Sequence, residues 1–504
     1  MARRTLSGAA GSGWVVEFIG RLCVQTGVFV RSSSVRRSWT SSRDLHLDLD
    51  LAAPRGRRAA LERALRDAVH DGRLPPATVL PSSRALAHDL HVSRGTVVEA
   101  YAQLVAEGYL VARPGSVTAV ADGAIVIPTQ SAVEPRAPRA RVDLRPGLLD
   151  LASTFPRAEW LRAERAVLRT APDEVFDYGD PRGTSELRAA LASYLGRARG
   201  VVTAPENIVI CAGFANGLAL LSRALRSVGV DTIAMEDPCL PAHRAIVRDQ
   251  HLGIAAMPVD EHGANVDAIE HGAAQVALVT PAHQYPTGVT LPPNRRTQLV
   301  KWAQRNDGLV VEDDYDGEFR YDRQPVGAVQ GLDPDRVVYA GTTSKTLAPG
   351  LRVGWLALPP RLVEPVVEAN RHGGAAPPAL QQLALAQLLA SGQLDRHLRR
   401  LRIGYRSRRD ALIRALADAI PLLTPTGIAA GLHLLLYLTN TATTEDDVRA
   451  TAEKHGVALA YLGSHWHQPA DHEQGIIIGY SRPSATAFDD VVQDVVGILR
   501  HAVG

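Results

Sequence analysis

Of the 55 basic residues in this 504-residue chain only three are lysines: Lys301, Lys345 and Lys454. Lys345 stands in GTTSKTLAPGLRVGW (residues 341–355), a turn rich in Thr, Ser, Gly and Pro that follows the apolar run RVVYA. Arginine stays protonated, so it cannot replace lysine where a neutral amine is required. Burial disfavours the ammonium form, and a desolvated lysine can form a Schiff base with a carbonyl. The hydroxyls of Thr342 and Ser344 and the guanidinium of Arg352 suit a phosphate. A phosphorylated aldehyde answers both requirements, and pyridoxal 5′-phosphate (PLP) is the cofactor of that description. A lysine in a polar turn is, taken alone, also the pattern of a solvated surface loop.

Upstream, GLVVEDDYDGEFRYD (308–322) is an apolar run ending in acids. Asp313 at the end of such a strand can keep a pyridine nitrogen protonated, making the ring an electron sink, and Tyr315 can reach the ring hydroxyl. A metal site built from Glu312, Asp313, Asp314 and Asp316 is the competing interpretation. Successive side chains of a strand point to opposite faces, and no histidine is close in sequence, so no metal is expected. CAGFANGLALL (211–221) reads as strand, turn and helix, in which Phe214, Ala215 and Asn216 offer backbone N–H groups to an anion at the helix start. VTPAHQYPTG (279–288) is a strand entering a proline-rich loop in which His283 and Tyr285 can line a ligand. GSHWHQPADHE (463–473) carries His465, His467 and His472 and is read as a polar loop at the rim of the site, not as a metal centre.

These groups need a scaffold. The runs NIVIC, TIAM, QVALVT, GLVVE, RVVYA and VGWLAL alternate with longer helical patterns from about Asp143 onward. Continuous Val/Ile/Leu runs of this kind suit strands buried on both faces of a parallel or mixed sheet, giving an α/β domain. In open α/β sheets ligands gather beyond the carboxyl ends of the strands, where the unusual residues fall.

Residues 46–122 have a different texture. In LPSSRALAHDLHVSRGTVVEAYAQLVAEGYLVARPGSVTAV (80–120), Leu86, Ala87 and Leu90 form one helix face, His91-Val92 a turn, and Ser93 an N-cap. Val97, Tyr101, Leu104 and Val105 then recur at helical spacing. Two helices around a tight turn make a helix-turn-helix, whose second helix begins with Arg94, Gly95 and Thr96 free to approach bases. GYLVARPGSVTAV follows as two short strands of a wing. Arg84, Arg94 and Arg113 have the forked geometry for phosphate or guanine. A three-helix bundle for protein contacts has the same helical pattern.

The string 121–142, with three prolines and few large apolar groups, reads as a linker, placed at 123–141. Residues 1–45 are Ser/Arg-rich and aperiodic, expected to be a disordered tail or the product of a misassigned start; WVVEFIGRLCVQTGVFV within them is interrupted by Glu17 and Arg21 and faintly resembles a leader. Apolar content of 46%, charge of 21% and a net charge of +2 are those of an ordinary soluble protein, so any nucleic-acid contact must be local. Cys23, Cys211 and Cys239 have no disulfide or metal-ligand spacing, consistent with a reducing cytoplasm. No apolar run approaches the roughly 20 residues needed to span a bilayer.

LPSSRALA, VSRGTVVEAY and LVAEGYLVARPGS closely resemble the winged helix-turn-helix of GntR-family regulators. The resemblance implies DNA contacts by Arg84, Ser93, Arg94, Thr96 and the wing residue Gly115, with Val117 where a glycine is usual. FDYGDPRGTSELRAALASYLGRARGV, EDDYDGEFRY and TTSKTLAPGLRVGW are similar to fold-type I PLP-dependent aminotransferases across about 142–504. Together they place the chain with the MocR/GabR-like subfamily of regulators. That likeness implies a Schiff base on Lys345, ring contacts by Asp313 and Tyr315, and phosphate contacts by Arg352. It also implies a head-to-tail homodimer in which Tyr178 reaches the partner's cofactor phosphate. It implies a cytoplasmic regulator that binds operator DNA and senses an amine, an amino acid or PLP itself. The alternative is an active aminotransferase with an appended DNA-binding domain. Two departures bear on that choice: Leu240 occupies the place of the aromatic that stacks on the cofactor, and the carboxylate-gripping arginine is missing, Arg482 being the nearest candidate.

Overall fold

The computed structural model describes residues 56–112, 117–123, 140–322, 326–373, 377–419, 423, 425–438, 442–468 and 472–503. The tail at 1–45 and most of the linker expected at 123–141 lie outside them, as do Arg113 and Gly115. The chain divides into two compact units, residues 1–137 and 138–504.

Among the described residues the first unit has three helices, α1 (Arg57–His70), α2 (Ser83–Asp89) and α3 (Arg94–Ala106). Ser82 Oγ accepts from the Ala85 N–H at 3.2 Å and Ser93 Oγ from the Thr96 N–H at 3.1 Å, so each helix of the pair starts on a serine cap. His91 takes the left-handed conformation (φ 51°) that turns the chain between them. Leu61, Leu65, Leu86, Val97, Tyr101 and Leu104 share one apolar core. The Tyr101 hydroxyl donates to the Pro81 carbonyl at 3.0 Å, which ties α3 to the approach to α2. Strands β1 (Leu110–Ala112) and β2 (Thr118–Val120) pair antiparallel, with Leu110 opposite Val120.

The second unit is built on an eight-stranded sheet. In chain order its strands are β3 (Ile208–Cys211), β4 (Thr232–Asp237), β5 (Gly253–Asp260), β6 (Gly263–Ala264), β7 (Val276–Val279), β8 (Leu309–Asp314), β9 (Val337–Thr342) and β10 (Gly354–Ala357). Their spatial order is β3-β10-β9-β8-β7-β4-β5-β6. The run from β9 through β8, β7 and β4 to β5 is parallel, while β10 lies antiparallel between β9 and β3. Alternation sends Val311 and Val338 into one core and Val310 and Val337 into another, so both faces are covered and the strands read as unbroken apolar runs. A second, antiparallel sheet contains β11 (Pro425–Thr426), β12 (His433–Tyr437), β13 (Ala460–Tyr461) and β14 (Gly475–Gly479), in the order β11-β12-β14-β13. Helices α4 (Phe214–Ser227) and α5 (Pro241–Asp249) follow β3 and β4. Among the described residues no helix is long and apolar enough to cross a membrane.

Candidate functional site

The carboxyl ends of the parallel strands converge on a cavity of about 250 Å³. Lys345, Asp313, Tyr315, Thr342, Ser344, Arg352, Phe214 and Ala215, drawn from motifs spread over some 140 positions of sequence, all line it. Tyr285 and Leu240 line it as well, together with Pro146, Gly147, His243 and His433, which no motif marked.

Lys345 is half-buried, and its Nζ donates to the Gly147 carbonyl at 3.3 Å. Burial pulls the amine below the usual lysine range, against the opposing pull of Asp316 and Asp313. Gly147 has φ +88° and its missing side chain leaves room for the amine: a Cβ there would stand 2.6 Å from Nζ.

Four acids crowd the end of β8 and the turn after it, and each has a separate task. Glu312 accepts from the N–H groups of Val329 and Gln330 at 3.1 and 3.0 Å. Asp314 accepts from Arg199 at 2.6 Å and from the Tyr339 hydroxyl at 2.8 Å. Asp316 Oδ2 lies 2.9 Å from His283 Nδ1. Asp313 alone lines the cavity, and its buried Oδ1 has no hydrogen-bond partner among the described residues. Burial, then the charges of Asp314 and Asp316, holds its carboxyl well above the usual range.

Tyr315 Oη lies 3.1 Å from the same His283 Nδ1. His283 therefore stands behind the cavity wall rather than on it, contrary to the expectation that it contacts a ligand: its ring is taken up by Tyr315 and Asp316. Gly431 leaves space for that ring. With φ +73°, a Cβ there would overlap the imidazole and approach Asp316 Oδ2 to 2.9 Å. Gly431→Ala is expected to destabilise the second unit by about 1–3 kcal/mol and to displace Tyr315. Urea unfolding checks the first outcome; wild-type stability would contradict this packing.

Arg352 follows the turn in the left-handed conformation (φ 52°), and its guanidinium forms no hydrogen bond or ion pair with any described residue. Its guanidinium passes Gly213, where a Cβ would stand 3.6 Å from Nη1. Gly213 starts α4 without a side-chain cap, so the N–H groups of Phe214, Ala215 and Asn216 have no acceptor within the helix. Thr342 Oγ1 lies 2.9 Å from Ser344 Oγ beside them. An unpaired guanidinium, orphan helix N–H groups and two hydroxyls make an anion cradle.

Arg482 is elsewhere: its Nη1 donates to Asp143 Oδ2 at 2.9 Å, and it is not part of the lining. Tyr178 is fully exposed. The loop histidines are engaged separately, His465 Nδ1 with the Tyr461 carbonyl, His467 Nε2 with the Glu236 carbonyl, and His472 stacked on Trp466.

Residues 142–462 match the family Aminotransferase class I and II, and residues 57–120 match the bacterial regulatory proteins of the gntR family. The chain is 35% identical to the HTH-type pyridoxine biosynthesis transcriptional regulator PdxR of Corynebacterium glutamicum, over 87% of this chain and 94% of that protein. It belongs to the GntR-family transcriptional regulators that carry an aminotransferase-like domain. The probable rhizopine catabolism regulatory protein MocR of Rhizobium meliloti is 34% identical to this regulator, over 87% of its chain and 92% of that protein. Among solved structures, the Pyrococcus horikoshii kynurenine aminotransferase superposes with TM-score 0.66 at 25% identity, covering 73% of the regulator and 91% of that chain. An archaeal alanine:glyoxylate aminotransferase gives TM-score 0.65 at 26% identity, covering 72% and 92%. In the regulator's first unit Arg84, Ser93 and Arg94 are exposed and Thr96 is half-buried. Neither the Arg84 nor the Arg94 side chain forms an ion pair or hydrogen bond with a described residue, and Ser93 Oγ lies 2.8 Å from Thr96 Oγ1.

Proposed function

We propose that this GntR-family regulator holds PLP at Lys345 and that an amine effector, or PLP itself, shifts its affinity for operator DNA. The observation that carries the reading is Asp313: a buried carboxyl with an unpartnered oxygen in the same cavity as a desolvated lysine amine. A protonated pyridine nitrogen satisfies such an oxygen. The cradle of Arg352, Thr342, Ser344 and the α4 N–H groups suits the phosphate, and the Tyr315 hydroxyl suits the ring oxygen. When bound, PLP supplies an aldehyde to primary amines and a ring that withdraws electrons.

The protein's own part is to draw the Lys345 amine below the usual lysine range by burial and to hold it at the Gly147 carbonyl. Asp316 and Asp313 pull the other way and favour the protonated amine. DNA affinity then changes only by the difference in effector affinity between the two conformations.

A carboxylate-bearing effector is poorly served. Among the described lining residues the one arginine is Arg352, placed in the phosphate cradle, Arg482 is engaged with Asp143, and β14 carries buried Ile476, Ile477 and Ile478. The reading therefore favours an amine without an α-carboxylate, or PLP, over an amino acid. It favours sensing over the alternative of an efficient aminotransferase, although Lys345, Asp313 and Tyr315 retain the groups for transamination. A cytoplasmic head-to-tail homodimer, with Tyr178 reaching the partner's site, belongs to the same reading; the exposure of Tyr178 and Phe176 supports it. Absorbance titration with PLP and candidate amines, followed by a mobility-shift assay on the protein's own upstream DNA, tests it. Robust steady-state transamination across an amino-acid panel without operator binding would overturn it.

A further inference from the structure

We infer that His243 supplies the planar face against which the pyridine ring of PLP rests, taking over from a position that Leu240 leaves without a ring; the inference rests on the PLP reading above. Leu240 is the N-cap of α5 and His243 lies three residues on. That spacing puts the two on the same side of the helix, one turn apart, and both side chains line the cavity.

The start of α5 is held firmly. Pro241 occupies its first position. Arg244, next to His243, is buried and donates to the carbonyls of Cys239 at 3.1 Å, His465 at 2.6 Å, Ser464 at 3.3 Å and Trp466 at 3.0 Å. The His243 ring is backed by Phe214, with centroids 4.8 Å apart and planes tilted by 53°. Its nitrogens form no hydrogen bond with any described residue. Burial, with the Lys345 charge adding to it, pushes this imidazole down to about 4, so it is neutral at physiological pH. A neutral ring can stack on a protonated pyridine without charge repulsion.

The other rings of the lining are otherwise engaged. Tyr315 meets His283, Tyr285 stands edge-on to Tyr315 with planes at 90°, and His433 Nε2 donates to the Pro286 carbonyl at 3.1 Å.

The test is the equilibrium affinity of the full-length protein for PLP, read from absorbance and from the induced circular dichroism of the bound cofactor. His243→Ala is expected to weaken binding about tenfold, the weight of one aromatic stack. His243→Phe, which keeps the plane but not the nitrogens, is expected to stay within about twofold of wild type and to serve as the folding control. Wild-type affinity in His243→Ala, or equal losses in both variants, overturns the inference. Failure of the PLP reading is recognised separately, because then wild type gives no Lys345-dependent band in the first place.

Discussion

Lys345→Ala abolishes the visible absorption band that wild-type protein develops with PLP; this is the expected result, and a complete loss rather than a graded one. The band requires a covalent link to an amine, and Lys345 is the only lysine in the cavity lining. Lys345→Arg behaves like alanine, since a guanidinium that stays protonated is no nucleophile. The phosphate cradle is untouched in both variants, so weak non-covalent binding survives and phosphate-bearing analogues still compete for it. Borohydride reduction followed by peptide mass mapping provides the second measurement: the label falls on the peptide containing Lys345 in wild type and nowhere in the variants. A Lys345→Ala protein that keeps the wild-type band would remove the basis of the cofactor assignment.

The second large effect concerns DNA. Arg94→Ala is expected to lower operator affinity by about 10- to 100-fold at fixed salt, the range for losing a bidentate base contact worth about 1–3 kcal/mol. Arg94 is exposed at the first position of α3 and has no partner within the described residues, so its removal leaves the fold of the first unit intact. Ser93→Ala bears on scaffold as well as contact. It removes the cap on Thr96 and costs about 1 kcal/mol of local stability, which thermal unfolding reads directly. Arg84→Ala, if Arg84 meets phosphate, weakens specific and non-specific DNA alike and lowers the salt slope by about one. Unchanged operator affinity in Arg94→Ala would point the helix pair toward a protein partner instead.

The sequence was most readable where composition worked against expectation. A lysine in an arginine-rich chain and a carboxylate ending a Val-rich strand are local signals, and both lie in the cavity. The helix-turn-helix was legible for a related reason: its Ser93 cap, its turn and its apolar periods all sit within some 30 consecutive residues. The partner of Arg482 was not legible because proximity in sequence to a strand end says nothing of an aspartate 339 positions away. The engagement of His283 with Tyr315 and Asp316 was not legible, since it depends on how two separate segments fold together. Strand β5 escaped notice because its GIAAMPVD pattern is only partly buried, as befits a strand near the edge of the sheet. His243 was invisible for a third reason: within PAHRAIVRD it reads as one more polar residue on an amphipathic helix, and only the cavity shows which way it matters.

Gly147 connects the chemistry to the path of the polypeptide. The second compact unit begins at Pro138, and within its first ten residues the backbone reaches the cavity, where the Gly147 carbonyl accepts from Lys345. The strand pairing of Val142 with Val457 and the bond from the Gly479 N–H to the Leu144 carbonyl clamp the intervening stretch. The first described residues of the second unit are thus held close to the Lys345 amine, so a substitution that loosens the Val142 pairing is felt at Gly147 as well.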